Sequence, residues 1–327
     1  MKYIFTISLI LFITSVSRIT SEMTMENWMS FLPDNQRLLL VNIPGSHDTA
    51  AHEINTIGIP FGQTQDKSIP ELLNIGVRKL DIRIALREGQ DDDDNLYTCH
   101  GIFECYYLDE NNDQQSLTFK HILLDIKNFL RKNPTETVIF CIQSEKGDDY
   151  ENIKRAVELF DKIVPDIFVK YDKNLKLGDV RGKIVSTIYK TDNFDSEGRV
   201  VYHYGYDGCT NLEEIHRKFI DGEYYNSWEV TGETKVEEVE EFLRTHDISI
   251  EEAEEDFENN KSKYPIAYYT SCTGEQKTVL PLPKVQADIV NPFLLGYDFK
   301  KGFYYGWIDM DYVSLKLAEK IVLTNFS

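Results

Sequence analysis

Two histidines, an aspartate and an arginine stand where predicted β-strands end, and their types suit one kind of chemistry. His47 and Asp48 follow the strand predicted over residues 38–43, Arg83 ends the next predicted strand, and His100 ends a third. Two imidazoles can act as general base and general acid, and a guanidinium can bind two phosphoryl oxygens at once. The set therefore has what cleavage of a phosphodiester requires.

The elements that must position these residues alternate between strand-like and helix-like runs. Residues 117–131 have apolar side chains at helical spacing, and Asn133-Pro134 ends that helix. The predicted strands are short and almost continuously apolar, and they span residues 38–43, 77–84, 96–100, 135–143 and 182–189. This pattern predicts an α/β fold in which helices cover a mostly parallel sheet. In a (β/α) barrel the strand ends meet at one rim, which Glu145 and Lys190 would share.

The second half of the chain is less regular. Residues 236–261 predict a long, strongly acidic helix with a solvated outer face. Residues 265–272 and 304–308 predict closing strands, and residues 314–322 predict a final helix. Nothing in the sequence marks a linker or a domain boundary, so we expect a single domain.

The charge of the chain limits its partners. The chain has 327 residues, of which 42% are hydrophobic, and its formal net charge is −20. Such an acidic protein has no surplus of cations to neutralise the phosphates of a nucleic acid or to form a polybasic membrane anchor. We therefore expect no nucleic-acid partner, and the sequence indicates no obligate protein partner. Any membrane contact would be apolar or confined to one face.

The first residues are typical of a secretory signal rather than of a fold. Lys2 precedes the mostly apolar run of residues 4–13, which is too short to span a bilayer, and small residues follow it. We expect residues 1–21 to be a cleaved signal peptide and residues 22–327 to be a secreted, extracellular protein. An uncleaved anchor or a buried first helix is the alternative.

The cysteines leave the disulfide pattern open. The sequence has five of them, Cys99, Cys105, Cys141, Cys209 and Cys272. Export would permit disulfides, but an odd number leaves at least one cysteine unpaired unless a partner chain supplies another. Cys141 lies in a predicted buried strand and is expected to be a core thiol. Cys99 and Cys105 flank His100, so they could staple that loop or remain free.

Several motifs, taken in order, resemble the X-type catalytic domain of phosphatidylinositol-specific phospholipases C. They are Ile43-Pro44-Gly45-Ser46-His47-Asp48, Gly76-Val77-Arg78 with Leu80-Asp81-Ile82-Arg83, Cys99-His100-Gly101, Asn133-Pro134-Thr135-Glu136-Thr137-Val138-Ile139, and Gly182-Lys183-Ile184-Val185. The resemblance covers about residues 28–189 and continues weakly to Tyr312. It implies a distorted TIM-like (β/α) barrel, in agreement with the alternation of strands and helices.

The resemblance also implies catalytic roles. His47 would be the general base that takes the proton of the inositol 2-hydroxyl, whose oxygen then attacks the neighbouring phosphorus. His100 would be the general acid that protonates the departing diacylglycerol oxygen, and Arg83 would hold the phosphoryl oxygens. Asp311 would be the distal carboxylate that orients His47, and Asp48 would support the acid and the arginine. The first product would be inositol 1,2-cyclic phosphate or its glycan-bearing form.

Other residues match positions at which the family contacts the inositol. Asp81 would maintain the geometry of the site, and Glu145 and Lys190 would face the inositol, although an arginine is usual at the position of Lys190. Asn226 stands where an acid ahead of an aromatic would be expected. Trp228 could stack on the sugar ring or belong to the core. These departures leave the cleavage chemistry intact and make the headgroup uncertain.

Arg83 also determines the expectation for cofactors. Calcium-dependent members of the family have an acidic metal ligand at this point, whereas arginine resembles the bacterial, metal-independent branch. We therefore expect no metal and no other cofactor, and a phospholipid substrate at a membrane surface. Two alternatives remain open. One is a metal-dependent barrel phosphodiesterase for another phospholipid or a glycerophosphodiester, and the other is an inactive module that binds lipid headgroups.

Overall fold

The computed structural model describes residues 22–55, 57–90, 92–170, 174–189, 203–204, 217–219, 222–225, 232–245, 248–259, 268–271 and 282–327. The predicted signal peptide lies outside the described residues, and so do the expected headgroup-binding residues Lys190, Asn226 and Trp228. Cys209 and Cys272 lie outside them as well. In the described part of the chain, no helix is both long enough and apolar enough to cross a membrane.

Strands and helices alternate through the described residues, as the sequence predicts. The strands are β1 (Ile43–Ser46), β2 (Lys79–Leu86), β3 (Leu96–His100), β4 (Phe103–Glu104), β5 (Tyr106–Leu108), β6 (Gln114–Ser116), β7 (Val138–Ser144), β8 (Phe168–Lys170), β9 (Ile184–Tyr189), β10 (His203–Tyr204), β11 (Arg217–Phe219), β12 (Gly222–Tyr225), β13 (Tyr268–Ser271) and β14 (Trp307–Met310). The α-helices are α1 (Ile59–Gly62), α2 (Ile69–Asn74), α3 (Phe119–Lys132), α4 (Asp149–Ile163), α5 (Leu177–Val180), α6 (Gly232–Thr245), α7 (Ile250–Glu258), α8 (Pro283–Gly296) and α9 (Leu315–Val322).

The main sheet is mostly parallel, which confirms the prediction. Its strands follow the order β10, β9, β7, β2, β1, β14, β13, β12 and β11, and only the last pairing in this path is antiparallel. The hairpin partner β3 is antiparallel to β2. Strand β1 lies between β2 and β14, so the two ends of the described chain meet at the middle of the sheet. Parallel neighbours present their carboxyl ends at one edge.

The start of the sheet is the main point at which the sequence prediction is wrong. Leu38–Leu40 forms a 3-10 helix instead of a strand. Strand β1 begins only at Ile43 and continues to Ser46, beyond the end of the predicted strand. Residues 38–41 are almost completely buried. A short, continuously apolar run looks the same whether it forms a buried strand or a buried helix.

The acidic stretch predicted as one helix over residues 236–261 is two helices, α6 and α7. Ser249 caps the start of α7. Its hydroxyl accepts a hydrogen bond from the Glu252 amide at 3.1 Å, and the Glu252 carboxylate accepts one from the Ser249 amide. This reciprocal pair is a capping box. Glu237, Glu240 and Glu241 are exposed, as expected for a solvated outer face. On the inner side, Val239, Leu243 and Ala253 are buried in the core.

The cysteines of the β3–β4 hairpin do not form a disulfide. Cys99 and Cys105 are both buried, free thiols, and Cys99 is paired with Glu104 in the hairpin ladder. The turn is therefore closed by backbone hydrogen bonds instead of a covalent staple. Cys141 is buried in β7, as predicted.

A buried ion pair crosses the sheet beneath the carboxyl ends of the central strands. Gly45 of β1 is in register with Lys79 of β2 on one side and with Asp309 of β14 on the other. The Lys79 ammonium bonds the Asp309 carboxylate, and the two side chains are 1% and 0% exposed. A Cβ atom on Gly45 would lie 2.0 Å from Asp309 Oδ1. The ion pair therefore requires a glycine at this position.

We expect the substitution Gly45→Ala to destabilise the fold by about 1–3 kcal/mol, because the added methyl group must displace a buried charge. Urea unfolding measures this change in the free energy of unfolding. Gly296→Ala is the matched control, since a Cβ there meets no atom within 4 Å. Equal unfolding midpoints for the two variants would show that the ion pair does not need the glycine.

Candidate active site

Seven of the predicted site residues converge at the carboxyl edge of the central strands. His47 directly follows β1, Glu145 follows β7 and Asp311 follows β14. Asp81 and Arg83 are two residues apart on β2, so their side chains share one face. His100 is the last residue of β3. Contacts among these residues and Asp48 connect the whole group.

His47 and Asp311 form a hydrogen bond at the ends of β1 and β14. His47 Nδ1 lies 2.8 Å from Asp311 Oδ1, and the aspartate side chain is 3% exposed. Because a carboxylate can only accept, Nδ1 carries the proton and Nε2 is the atom that titrates. Burial alone would lower the pKa of His47. The charge of Asp311 and its hydrogen bond outweigh burial and raise the pKa above its ordinary value of 6.5.

Arg83 contacts the other nitrogen of the same imidazole. Its Nη2 lies 2.7 Å from His47 Nε2. A guanidinium can only donate, so the neutral imidazole accepts this hydrogen bond with its lone pair. His47 is therefore held as a neutral ring whose Nε2 lone pair faces the Arg83 guanidinium.

Three carboxylates surround the Arg83 guanidinium. Asp48 Oδ2 lies 3.5 Å from Nε, Asp81 Oδ2 lies 3.7 Å from Nη2, and Glu145 Oε2 lies 3.5 Å from Nη1. Burial would raise the pKa of Asp81, but Arg83 and the other nearby cations lower it below its usual value. Within the described residues, no group of three or more His, Cys, Asp or Glu side chains is arranged to hold a metal ion.

His100 faces His47 across the site. The two imidazole centroids are 6.4 Å apart, and their planes are nearly perpendicular. His100 Nδ1 lies 2.8 Å from the Gly62 carbonyl oxygen and 3.3 Å from Asp48 Oδ2. A carbonyl oxygen only accepts, so Nδ1 of His100 carries a proton and its Nε2 can exchange one. Glu145 Oε1 fixes the following residue by accepting from the Gly101 amide at 2.8 Å.

Asp48 is the most secluded acid of the site. It is fully buried, and burial raises its pKa although Arg83 and both site histidines lower it. Its φ of 42° places it in the left-handed region, as does the φ of 50° at Tyr312. These two residues directly follow His47 and Asp311. Left-handed backbone is unfavourable for residues other than glycine, so the turns at Asp48 and Tyr312 are both strained. Each turn directly adjoins one partner of the His47–Asp311 hydrogen bond.

The sequence analysis missed the segment that connects these residues, Gly62-Gln63-Thr64-Gln65. Besides the Gly62 contact with His100, the Thr64 hydroxyl donates to the Asp48 carbonyl at 2.8 Å, and the Thr64 carbonyl accepts from the Tyr312 amide at 2.7 Å. Gln65 contacts the backbone of residues 47, 310 and 313. None of these residues is ionisable, so neither residue type nor spacing indicated them.

A known family model matches the central part of this site. Residues 41–187 match the family described as phosphatidylinositol-specific phospholipase C, X domain. The matched range contains His47, Arg83 and His100. Asp311 lies beyond the matched range and joins the site through β14.

Relatives with assigned names share the same half of the chain. A 1-phosphatidylinositol phosphodiesterase from Listeria monocytogenes is 32% identical over 177 residues, which cover 51% of this chain and 50% of the relative. A protein of the same name from Staphylococcus aureus is 29% identical over 168 residues, or 49% of each chain. The chain thus spans about half the length of the curated relatives that it matches.

Solved structures match nearly the whole chain. A mutant of the Staphylococcus aureus phosphatidylinositol-specific phospholipase C aligns with a TM-score of 0.69 at 19% identity, covering 92% of this chain and 98% of that one. The corresponding protein from Listeria monocytogenes aligns with a TM-score of 0.67 at 21% identity, covering 93% and 100%. This likeness establishes the fold and confirms the predicted distorted TIM-like barrel of a single domain.

We expect the pKa of His47, measured by NMR of its ring nitrogens, to lie above 6.5. In Asp311→Asn it should fall below 6.5, because burial and Arg83, which both favour the neutral ring, are then no longer opposed by the carboxylate. His52 is an internal reference, since burial lowers its pKa and Asp311 has no part in that shift. An unchanged His47 pKa in the variant would contradict the assignment of Asp311 as its partner.

Proposed function

We propose that this protein is a phospholipase C-type phosphodiesterase that cleaves phosphatidylinositol or glycosylphosphatidylinositol lipids. The observation that carries the proposal is the arrangement of His47, which contacts Asp311 with one ring nitrogen and Arg83 with the other, opposite His100. The names of the relatives and the family of residues 41–187 support the same substrate class. The products would be diacylglycerol and inositol 1,2-cyclic phosphate.

The first half of the reaction uses His47 and Arg83. When the phosphodiester enters, its anionic oxygens take over the guanidinium of Arg83 from His47 Nε2 and leave that nitrogen free. Nε2 then accepts the proton of the inositol 2-hydroxyl as its oxygen bonds to phosphorus. The imidazolium that forms donates to the Asp311 carboxylate, which favours the charged ring. The hydroxyl is already beside the phosphorus, so attack has the advantage of proximity.

The second half of the reaction uses His100. The bond between phosphorus and the diacylglycerol oxygen breaks, and protonated His100 gives its Nε2 proton to that oxygen. The Gly62 carbonyl holds Nδ1 and so keeps Nε2 as the nitrogen that exchanges protons. The cyclic phosphodiester and neutral diacylglycerol leave, with His47 protonated and His100 neutral. The two histidines thus begin and end in opposite protonation states, so activity should peak between their pKa values.

We propose that the reaction proceeds without a metal ion. Asp48, Asp81 and Glu145 supply the oxygen ligands that Ca²⁺ prefers, yet all three carboxylates lie within 3.7 Å of the Arg83 guanidinium. A second cation among them would be repelled by the first. The guanidinium remains charged at any working pH and can bind two phosphoryl oxygens at once, so it can stabilise the charge that builds on the phosphate.

We also propose that the protein is secreted and acts on lipid at a membrane surface. Ile57 and Ile102 are 82% and 85% exposed, which is unusual for isoleucine. Ile57 and Ile102 form one exposed apolar surface, the rim ledge, because the residues that follow them, Gly58 and Phe103, pack together. The rim ledge lies next to His100, the proposed general acid, because the Gly62 carbonyl contacts the His100 ring. Apolar residues at the rim suit a chain whose net charge disfavours an electrostatic approach to anionic lipid.

The test is incubation of the purified protein with phosphatidylinositol vesicles, with and without EDTA, followed by phosphorus NMR of the soluble products. We expect inositol 1,2-cyclic phosphate in both samples. His47→Ala and His100→Ala should each lower the rate by roughly 10²–10⁴-fold, because each removes a positioned acid or base. His121→Ala, which removes a histidine on α3 outside the site, should retain the rate.

Three results would contradict the proposal. Loss of product on chelation would favour a metal-dependent barrel phosphodiesterase. Headgroup binding without turnover would favour an inactive binding module. Retention of full activity by His47→Ala would remove the general base from the scheme.

We expect Ile102→Asn to weaken binding to phosphatidylcholine vesicles that contain phosphatidylinositol, because it removes an exposed apolar side chain from the rim ledge. Cleavage of a short-chain, monomeric phosphatidylinositol should be unaffected, since Ile102 does not belong to the group of charged residues. Vesicle sedimentation measures the partition. The control is Leu124→Asn on α3, where the leucine is 41% exposed; equal loss of binding in both variants would exclude a specific role for the ledge.

A further inference from the structure

Gln65 is buried between the two chain segments that carry the base and its carboxylate. Its side chain has no solvent exposure. The amide Nε2 donates to the His47 carbonyl at 2.9 Å and to the Met310 carbonyl at 2.9 Å. The amide oxygen accepts from the Val313 backbone N–H at 3.3 Å. Two carbonyls and one N–H fix the orientation of the amide, because the carbonyls only accept and the N–H only donates.

These contacts begin where the sheet ends. Strands β1 and β14 are paired up to Ser46 and Met310, and the last hydrogen bond between them runs from the His47 amide to the Met310 carbonyl at 3.1 Å. Beyond that point the ladder no longer sets the distance between the two segments. Gln65 donates to the His47 carbonyl after β1 and to the Met310 carbonyl at the end of β14. Its side chain therefore joins the two segments just beyond the last hydrogen bond of the ladder.

The distance that Gln65 maintains matters for the chemistry. His47 and Asp311 are adjacent to the backbone groups that Gln65 binds, and their side chains must meet at 2.8 Å to raise the pKa of His47. The chain on both sides is strained, with positive φ angles at Asp48 and Tyr312. Relaxation of either turn would separate the two side chains. The hydrogen bond from the Val313 amide to the Gln65 side chain holds the turn at Tyr312 directly.

We propose that Gln65 is a positioning residue that sets the separation of His47 and Asp311 and thereby the basicity of the catalytic base. It touches neither the reacting atoms nor the imidazole. It acts through the backbone of residues 47, 310 and 313. The inference rests on the proposed function for its effect on the rate, but its effect on the His47 pKa is independent of any activity.

The test compares Gln65→Met with Gln63→Met. Methionine approximates the length of glutamine and has no N–H to donate, so Gln65→Met loses both carbonyl contacts. Gln63→Met is the matched control, because the Gln63 side-chain amide donates to the His52 carbonyl, at 2.8 Å, and this contact involves neither His47 nor Asp311. Gln65→Leu, which also lacks the donors and carries no charge, serves if the methionine variant does not fold.

In the Gln65 variant we expect kcat for phosphatidylinositol cleavage to fall by about 10-fold to 10²-fold, with KM unchanged, because a misplaced base costs rate without affecting binding. The acid limb of the pH–rate profile and the His47 pKa measured by NMR should both move to lower pH, because the carboxylate lies farther from Nδ1. In Gln63→Met neither should move.

The inference is overturned if the folded Gln65 variant keeps the His47 pKa and the pH profile of the control, even if it is less stable. A failure of the proposed function has a different signature. In that case the wild-type protein does not cleave the lipid, while the NMR titration still shows whether Gln65 controls the His47 pKa.

Discussion

The site depends on one buried cation. Arg83 is surrounded by Asp48, Asp81 and Glu145 and also bonds His47, and its own side chain is only 16% exposed. Without the guanidinium, three carboxylates would face one another in a largely dry site. An uncompensated buried charge costs about 3–5 kcal/mol. The Arg83 charge that holds the three carboxylates together is therefore also the charge that can bind a phosphodiester. The stability of the site and its chemistry depend on the same side chain.

His47 and Asp311 come from distant parts of the chain. His47 and Asp311 are 264 residues apart in sequence, and they meet only because β1 pairs with β14. At the other end of β1, the Asn325 side chain binds both backbone groups of Asn42. Asn325 Oδ1 accepts from the Asn42 amide at 2.8 Å, and Asn325 Nδ2 donates to the Asn42 carbonyl at 2.9 Å. The site exists only when the sheet is complete between its first and last described strands.

The sequence was sufficient for features that residue type determines. Ionisable residues at predicted strand ends identified His47, Arg83 and His100 as neighbours, and apolar periodicity gave most helices and the parallel sheet. It failed at Leu38, because complete burial erases the difference between strand and helix periodicity. It also missed Gln65, whose partners are backbone groups of residues that are distant in sequence. A side-chain amide bound to such groups leaves no pattern in the neighbouring sequence.

The Lys79–Asp309 pair has a consequence for how this barrel can diverge. Replacing either charge alone leaves the other buried without its partner, and enlarging Gly45 first drives a methyl group into Asp309. No single substitution at Gly45, Lys79 or Asp309 gives an apolar interior without first leaving a buried charge unpaired or displaced. In homologous sequences the three positions should therefore covary as a unit, with small, basic and acidic residues retained together or exchanged together. Positions with no catalytic part would then show the coupling usually sought among catalytic residues.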